Sequence, residues 1–223
     1  MKIRRILSLN HGFSYVVREG IFNQQDKPCE VCDGMGKLCG IVLLLLFAMP
    51  VRATPTLTVA TDLWPPFRIL QADGRLQGLD MDILRRLQQA SGIELQVRRM
   101  PWGRALKQMQ TGQVDLMIGL AYTAERAQFI DYLQPAYYQC WPAFYGQPVN
   151  VARIHQYRDL QGVKVGYVLN SAYFEPFNSD SRLDKHGVPT EDQLLRMVQR
   201  GHLPLMIGTD CQVDYALSQG NAS

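Results

Sequence analysis

The chain has 223 residues, 47% of them apolar, with 23 Lys and Arg against 20 Asp and Glu. That suits one large globular domain or two small ones, and scattered Gly (18) and Pro (12) exclude a disordered or collagen-like chain. The net charge of +3 sits entirely in residues 1–53, which hold 7 Lys/Arg and 4 Asp/Glu, while residues 54–223 hold 16 of each. A neutral body lacks the basic footprint of a nucleic-acid binder, so no nucleic-acid partner is expected.

Residues 38–51 (LCGIVLLLLFAMPV) form the only long apolar run. As a helix it would rise about 21 Å, short of the roughly 30 Å hydrocarbon core. Lys37 precedes it and Val51-Arg52-Ala53 follows, the flanks of a secretory signal cleaved between Ala53 and Thr54. Residues 35–53 alone make a compact signal peptide starting at Met35. Residues 1–34, with four acids, suit no export signal and read as a non-native upstream extension. Cys29-Glu-Val-Cys32 is half a zinc ribbon without its second half, and no histidine shows ligand spacing, so no metal and no cofactor is expected. Cys140 and Cys211 permit a disulfide in an oxidising compartment, but the favoured reading is two buried free thiols.

From Thr54 strands and helices alternate. LTVAT (57–61) is a β-branched run ending at Asp62-Leu-Trp64-Pro-Pro-Phe67, where two prolines force extended or turn backbone. Asp73-Gly74 marks a hairpin. Asp80 can cap a helix through Ser91, with Ile83, Leu84, Leu87 and Ala90 on one face and Gly92 as the stop. Residues 93–100 form a strand, about 103–111 a helix ended by Gly112, and Val114 to Leu120 an apolar strand. Thr123 is a plausible N-cap for a short helix from Ala124 to about Ile130, and Tyr138 to Tyr145 reads as an extended connection. The pattern then restarts. Residues 163–169 form a strand closed by the cap-like pair Asn170-Ser171. Thr190 and Gln193 make a capping box for a helix burying Leu194, Leu195 and Val198. Residues 203–208 form a strand, and Asp210 can cap a last helix ending near Gly220. Two α/β lobes follow, residues 54–145 and 146–223, with largely parallel sheets. Ligands of such sheets sit at the carboxyl ends of the strands.

Arg126 is the informative residue. With Thr123 as N-cap it falls at N3, where a cation opposes the helix dipole at a cost of roughly 0.3–1 kcal/mol unless an anion joins it. Its planar fork suits a carboxylate; a salt bridge to Glu125, Asp131 or another surface acid is the equally weighted alternative. Asn170-Ser171 could present N–H groups to the same anion or simply cap. Trp64 and Trp102 could wall a pocket or fill a core.

These pieces in this order resemble the periplasmic solute-binding proteins of polar amino-acid ABC transporters (bacterial extracellular solute-binding protein family 3). The resemblance runs from about Leu57 to Leu217. It rests on VATD with its aromatic-Pro-Pro-Phe, GLDMDIL, PW-x-R with GQVDLMIG, TAERAQFIDYLQPAYY, DLQGVKVGYVLNS and LLRMVQRGHLPLMI. It implies an α/β, two-lobed periplasmic-binding-protein (type II) clamp that closes by a hinge. It also implies a periplasmic monomer that binds a small carboxylate-bearing solute, such as a polar amino acid, and hands it to an inner-membrane ABC permease. Residue by residue, it assigns Arg126 the ligand α-carboxylate, with Gly119, Ala121 and Thr123 beside it. Trp64 and Trp102 become aromatic walls, Asp62 a polar neighbour, and Asn170 and Ser171 the second lobe's helix N-terminus. Ala121 stands where many relatives carry a hydroxyl. The late aspartate for the ligand ammonium falls at Thr209, with Asp210 one position away. The family's chain crosses back to lobe 1 at its C-terminus, whereas this sequence stops at Ser223, so the resemblance predicts an incomplete second lobe, a missing return crossover and a one-stranded hinge. An enzyme of the cyclohexadienyl dehydratase type, with Asp62, Asp210 or Glu175 as general acid, and a ligand-sensing input domain are the competing readings.

Overall fold

The computed structural model describes residues 4–8, 12–17 and 54–220. The expected signal peptide (35–53) and the Cys29/Cys32 motif lie outside the described residues. The backbone places β1 (Arg4–Ser8) and β2 (Gly12–Val17) ahead of the body. Lobe 1 follows with β3 (Thr56–Thr61), the hairpin β4 (Ile69–Leu70) and β5 (Leu76–Gln77), α1 (Leu79–Ser91), β6 (Glu94–Arg99), α2 (Trp102–Gln110), β7 (Leu116–Ala121) and β8 (Asp131–Gln139). Lobe 2 holds β9 (Pro142–Gly146), the short α3 (Pro148–Val151), β10 (Val165–Val168), β11 (Lys185–Val188), α4 (Glu191–Gln199), β12 (Leu205–Thr209) and α5 (Asp210–Ser218).

Two five-stranded sheets result, ordered β6-β3-β7-β2-β8 and β11-β10-β12-β9-β1. In each, three neighbouring parallel strands are followed by one antiparallel strand and an edge strand antiparallel to that one. Apolar clusters flank both sheets. In lobe 1, Met109, Val114, Met117 and Leu120 pack on one side and Val59, Leu84, Leu116 and Ile118 on the other. In lobe 2, Val188, Leu194, Val198 and Met206 oppose Phe144, Leu160, Phe177 and Ile207. This is the mixed α/β, two-lobed clamp that the sequence implied.

Most elements form where local chemistry directs. Gly92 ends α1 in the left-handed conformation (φ 68°), which only glycine adopts without strain. Thr190 caps α4 by accepting from the Gln193 N–H, and Leu194, Leu195 and Val198 are buried as predicted. Four local readings change. Asp80 does not cap α1; Gly78 precedes that helix and the Asp80 carboxylate is buried. The expected helix after Thr123 is a single 3-10 turn, Arg126–Gln128. No helix begins at Asn170-Ser171: Asn170 itself is left-handed (φ 61°) and the chain continues through turns to Asp180. The connection through Tyr138–Tyr145 is two strands, β8 and β9, and the sheets change between Gln139 and Pro142, a few residues before the expected boundary.

Cys140 and Cys211 are not free thiols. They form a disulfide with Cα atoms 5.6 Å apart. Cys140 lies in the β8–β9 crossover and Cys211 in the first turn of α5, so the bond fastens the crossover to lobe 2. Trp141 N–H donates to Asp210 Oδ1 (2.8 Å), and the Asp210 N–H donates back to the Trp141 carbonyl (2.9 Å). Among the described residues no strand follows β12 to return to lobe 1. β1 pairs with β9, and β2 lies between β7 and β8.

Candidate functional site

Arg126 is 8% exposed at the mouth of a cleft of about 620 Å³ between the lobes. Its position follows from Thr123, whose Oγ1 accepts the Arg126 N–H (3.1 Å) and fixes the turn. The guanidinium then reaches back: Nη1 donates to the Ala121 carbonyl (2.9 Å) and Nη2 to the Asn170 carbonyl of lobe 2 (2.8 Å). Among the described residues no carboxylate forms an ion pair with it, so the salt bridge to Glu125 or Asp131 is not made. Burial pushes the Arg126 guanidinium below its usual range, with Tyr132 and Glu125 partly opposing. A buried cation held only by carbonyls is an electrostatically incomplete site, because neutral dipoles replace its hydration less well than an anion does.

Asn170 is the meeting point of the lobes. Its carbonyl also accepts the Trp102 indole N–H (3.3 Å), and a Cβ on Gly103 would fall 2.6 Å from its amide nitrogen. Glycine at the start of α2 therefore permits this approach. Thr123, Arg126, Asn170 and Ser171 line the cleft together, with Gly103 and Tyr167. The Ala121 carbonyl takes a second donor, Tyr132 Oη (3.0 Å), a residue that sequence reasoning passed over. Burial raises the Tyr132 phenol to about 12, so it stays a donor.

The other predicted residues do separate work. Asp62 is an N-terminal clasp for α2, its Oδ2 accepting the Trp102 N–H (3.0 Å). Trp64 stacks on Phe67 (5.0 Å) and lies under the Arg68 guanidinium (5.2 Å). Trp64, Phe67, Ala121 and Cys140 form an apolar cluster, joined by Ala172 and Cys211 of lobe 2. Gly119 is left-handed (φ 66°), and a Cβ there would come within 2.8 Å of the Arg68 guanidinium. Thr209 is buried, with an Oγ1 that has no hydrogen-bond partner among the described residues. Asp210 is engaged with the crossover, also accepting the Cys211 N–H (2.7 Å).

Two features were missed. The first is a buried ion pair. Arg68 Nη1 donates to Asp80 Oδ2 and to the Ile118 carbonyl (2.7 and 2.9 Å), and Tyr137 Oη donates to Asp80 Oδ1 (2.9 Å). It ties the β3–β4 loop, α1, β7 and β8 together beneath the site. Burial raises the Asp80 carboxyl although Arg68 opposes it. The second is Glu191, whose Oε1 is buried without a partner among the described residues. Burial pushes its carboxyl up to about 8, with the Thr209 N–H opposing. Neither feature has a short-range sequence signal.

Two α/β lobes, crossed by antiparallel strands, with a buried arginine where they meet, define a solute-binding clamp. The sequence model of bacterial extracellular solute-binding proteins, family 3, matches residues 57–200, and the chain belongs to that family. A probable histidine-binding protein of Neisseria gonorrhoeae is 27% identical over 71 residues, which is 31% of this chain and 26% of that protein. The match thus spans about a quarter of that relative's length. Among solved structures, the arginine-bound, truncated arginine-binding protein of T. maritima is similar, with TM-score 0.66 and 18% identity over 75% of this chain and 79% of that one. So is an ancestral amino-acid-binding protein described as a precursor of cyclohexadienyl dehydratase, with TM-score 0.64 and 22% identity over 74% of each chain. At these identities the structures establish the fold.

Proposed function

We propose that this chain binds a small solute carrying a carboxylate, an amino acid above all, by closing its two lobes over Arg126. The observation that carries the reading is the buried guanidinium without an acid partner, shared between a lobe 1 and a lobe 2 carbonyl. A ligand carboxylate would replace those carbonyls as a bidentate, charge-matched partner. Thr123, Gly119, Ala121, Asn170 and Ser171 would frame it, Trp102 and Trp64 would flank it, and Asp62, Thr209 and Asp210 would lie at the margins of the site. Similarity to proteins named for binding histidine and arginine favours an amino acid with a polar side chain. The family's setting extends the proposal to a periplasmic monomer, exported by the signal at 35–53, that delivers its solute to an inner-membrane ABC permease.

Chemistry on the same scaffold is the second reading, favoured by the likeness to a dehydratase precursor. The acids it would need are committed. Asp62 accepts the Trp102 N–H at the start of α2 and Asp210 holds the crossover. The Ser179 hydroxyl holds the Glu175 carboxyl below its usual range. Calorimetric titration of the full chain against L-amino acids and organic acids tests the proposal. Saturable heat with unaltered ligand recovered supports binding. Heat that continues at a steady rate with conversion of the ligand makes the chain an enzyme, and no heat with any carboxylate refutes the assignment of Arg126.

A further inference from the structure

One outer edge of the lobe 1 sheet is β6, which pairs with β3 alone among the described strands. Backbone groups of successive strand residues point to opposite sides of the strand. The Glu94 N–H donates to the Pro55 carbonyl (3.0 Å) and the Met100 N–H to the Thr61 carbonyl (2.9 Å), so the even-numbered residues of β6 face β3. Leu95, Val97 and Arg99 therefore turn their N–H and C=O groups outward. Gln88 Oε1 covers the Leu95 N–H (3.0 Å). The outward N–H groups of Val97 and Arg99 have no hydrogen-bond partner among the described residues. The β3–β6 register runs unbroken from Glu94 to Arg99, so no bulge turns this edge away from an incoming strand.

The side chains of the same three residues share one face, by the period of two. There they line a groove of about 460 Å³ between β6, α1 and the β4–β5 hairpin. Met81 and Leu84 of α1 give it an apolar floor, and Leu70 and Val97 stay 40% and 38% exposed along it. Its charge has one sign. Arg75, Arg85 and Arg99 line the groove and no acid does. Arg75 and Arg85 have exposed partners in Asp73 and Asp82, whereas Arg99 has no acid partner among the described residues. Exposed Arg86 and Arg98 adjoin them in sequence. Residues 54–223 carry 16 basic and 16 acidic groups, so this surplus is local to the groove and not a property of the whole surface.

We propose that this edge is a second binding site, which takes an extended acidic segment of a partner protein as an added strand beside β6. Main-chain hydrogen bonds to Val97 and Arg99 supply the attachment, and the groove selects the side chains. An apolar residue of the segment lies against Leu70 and Val97, and an Asp or Glu two positions away meets the arginines. Charge decides the occupant. Two copies of this edge would bring arginines together, and an uncharged apolar solute would leave the guanidinium groups without an anion. An acidic strand satisfies the backbone edge, the apolar floor and the arginines at once. None of the groove's lining residues lines the Arg126 cleft, so the site is independent of the solute that the clamp takes.

The test is an NMR titration of the ¹⁵N-labelled full chain with a capped heptapeptide of sequence TETVTET, which puts two acids and one valine on a single face when extended. Its basic counterpart TKTVTKT and sodium dodecanoate are the comparison probes. TETVTET should shift the Val97 and Arg99 amides saturably, with a Kd at or below about 1 mM, and should slow their hydrogen exchange. TKTVTKT should leave them in place. Arg99→Glu should weaken TETVTET at least tenfold. Val97→Pro removes an outward N–H and no bond to β3, so it should abolish the interaction while the melting midpoint stays within a few degrees. Arg99→Glu changes only an exposed side chain and keeps the test open if the proline variant fails to fold. Four results overturn the proposal. The first is no shift at Val97 or Arg99 with TETVTET. The second is equal binding of TKTVTKT or of the Arg99→Glu variant. The third is a response to dodecanoate alone, which would make the groove an amphiphile site. The last is shifts of the same amides on raising protein concentration without peptide, which would make the edge an interface between copies of this chain.

Discussion

Arg126→Ala should separate ligand anchoring from structural support, because the geometry makes these two roles unequal. The guanidinium is 8% exposed and makes two hydrogen bonds, both to carbonyls that keep another donor when it is removed. The Ala121 carbonyl retains Tyr132 Oη at 3.0 Å, and the Asn170 carbonyl retains the Trp102 indole at 3.3 Å. Two charge-assisted bonds are worth about 1.5–3 kcal/mol each, and relief of a buried cation without an acid offsets much of that loss. The unliganded protein should therefore change by less than about 2 kcal/mol, a melting shift below about 8 °C. Binding should change far more. Removing one partner of a buried charge pair costs about 2–5 kcal/mol because the other charge is left buried. At tenfold per 1.4 kcal/mol, affinity should fall roughly thirty-fold or more. Arg126→Lys should recover only part, since an ammonium lacks the planar fork. The assays are calorimetric titration of a confirmed ligand and melting curves of the three unliganded proteins. Unchanged affinity beside a large loss of unliganded stability would refute the reasoning and make Arg126 a strut between the lobes.

Three further outcomes follow from groups outside the cleft. Reducing the Cys140–Cys211 bond, or replacing both residues with Ser, releases a closed loop spanning 71 positions and should cost about 4 kcal/mol of stability in the chain-entropy account; denaturant unfolding with and without reductant measures it, and equal midpoints would contradict it. Asp80→Asn should destabilise by about 3–5 kcal/mol because Arg68 is left buried without its acid, while Arg68→Met/Asp80→Leu should recover much of the loss; a double variant no better than the single one would refute the pairing argument. Glu191 has a folded-state carboxyl raised to about 8 from 4.5, so its protonated form stabilises fully below about pH 4.5 and that contribution is lost as pH rises through about 8. Glu191→Gln should match the wild type near pH 4.5 and exceed it at pH 8 in urea midpoints; a constant difference across that range would sink the assignment.

The alternation of strands and helices was legible because it is written in short-range patterns: apolar periodicity, the glycine stops at 92, 112 and 201, and the threonine cap at 190. The turn that carries Arg126 was legible for a similar reason, since the three-residue spacing from Thr123 to Arg126 sets the side-chain cap that the structure contains. What was hidden depends on partners far along the chain. Asp80 looks like a cap because acids favour first turns, and only Arg68, brought over by the β3–β4 loop, makes it a buried counter-ion instead. β8 and β9 look like a connection because their neighbours β2 and β12 come from distant sequence. Asn170-Ser171 looks like a helix start, yet a left-handed Asn170 turns its carbonyl to Trp102 and Arg126. Two cysteines separated by 71 positions carry no sign of their pairing.

The disulfide changes the meaning of the ammonium-site departure. Asp210, one place from where the resemblance puts the ligand's ammonium partner, gives one carboxylate oxygen to the N–H groups of Trp141 and Cys211. Its backbone and the adjoining sulfur bridge hold the same crossover. The start of α5 and the β8–β9 hinge are therefore one rigid joint, and Asp210 is a member of it. A cationic ligand group that reached this carboxylate would pull directly on the hinge, so occupancy and closure would be coupled through a single side chain.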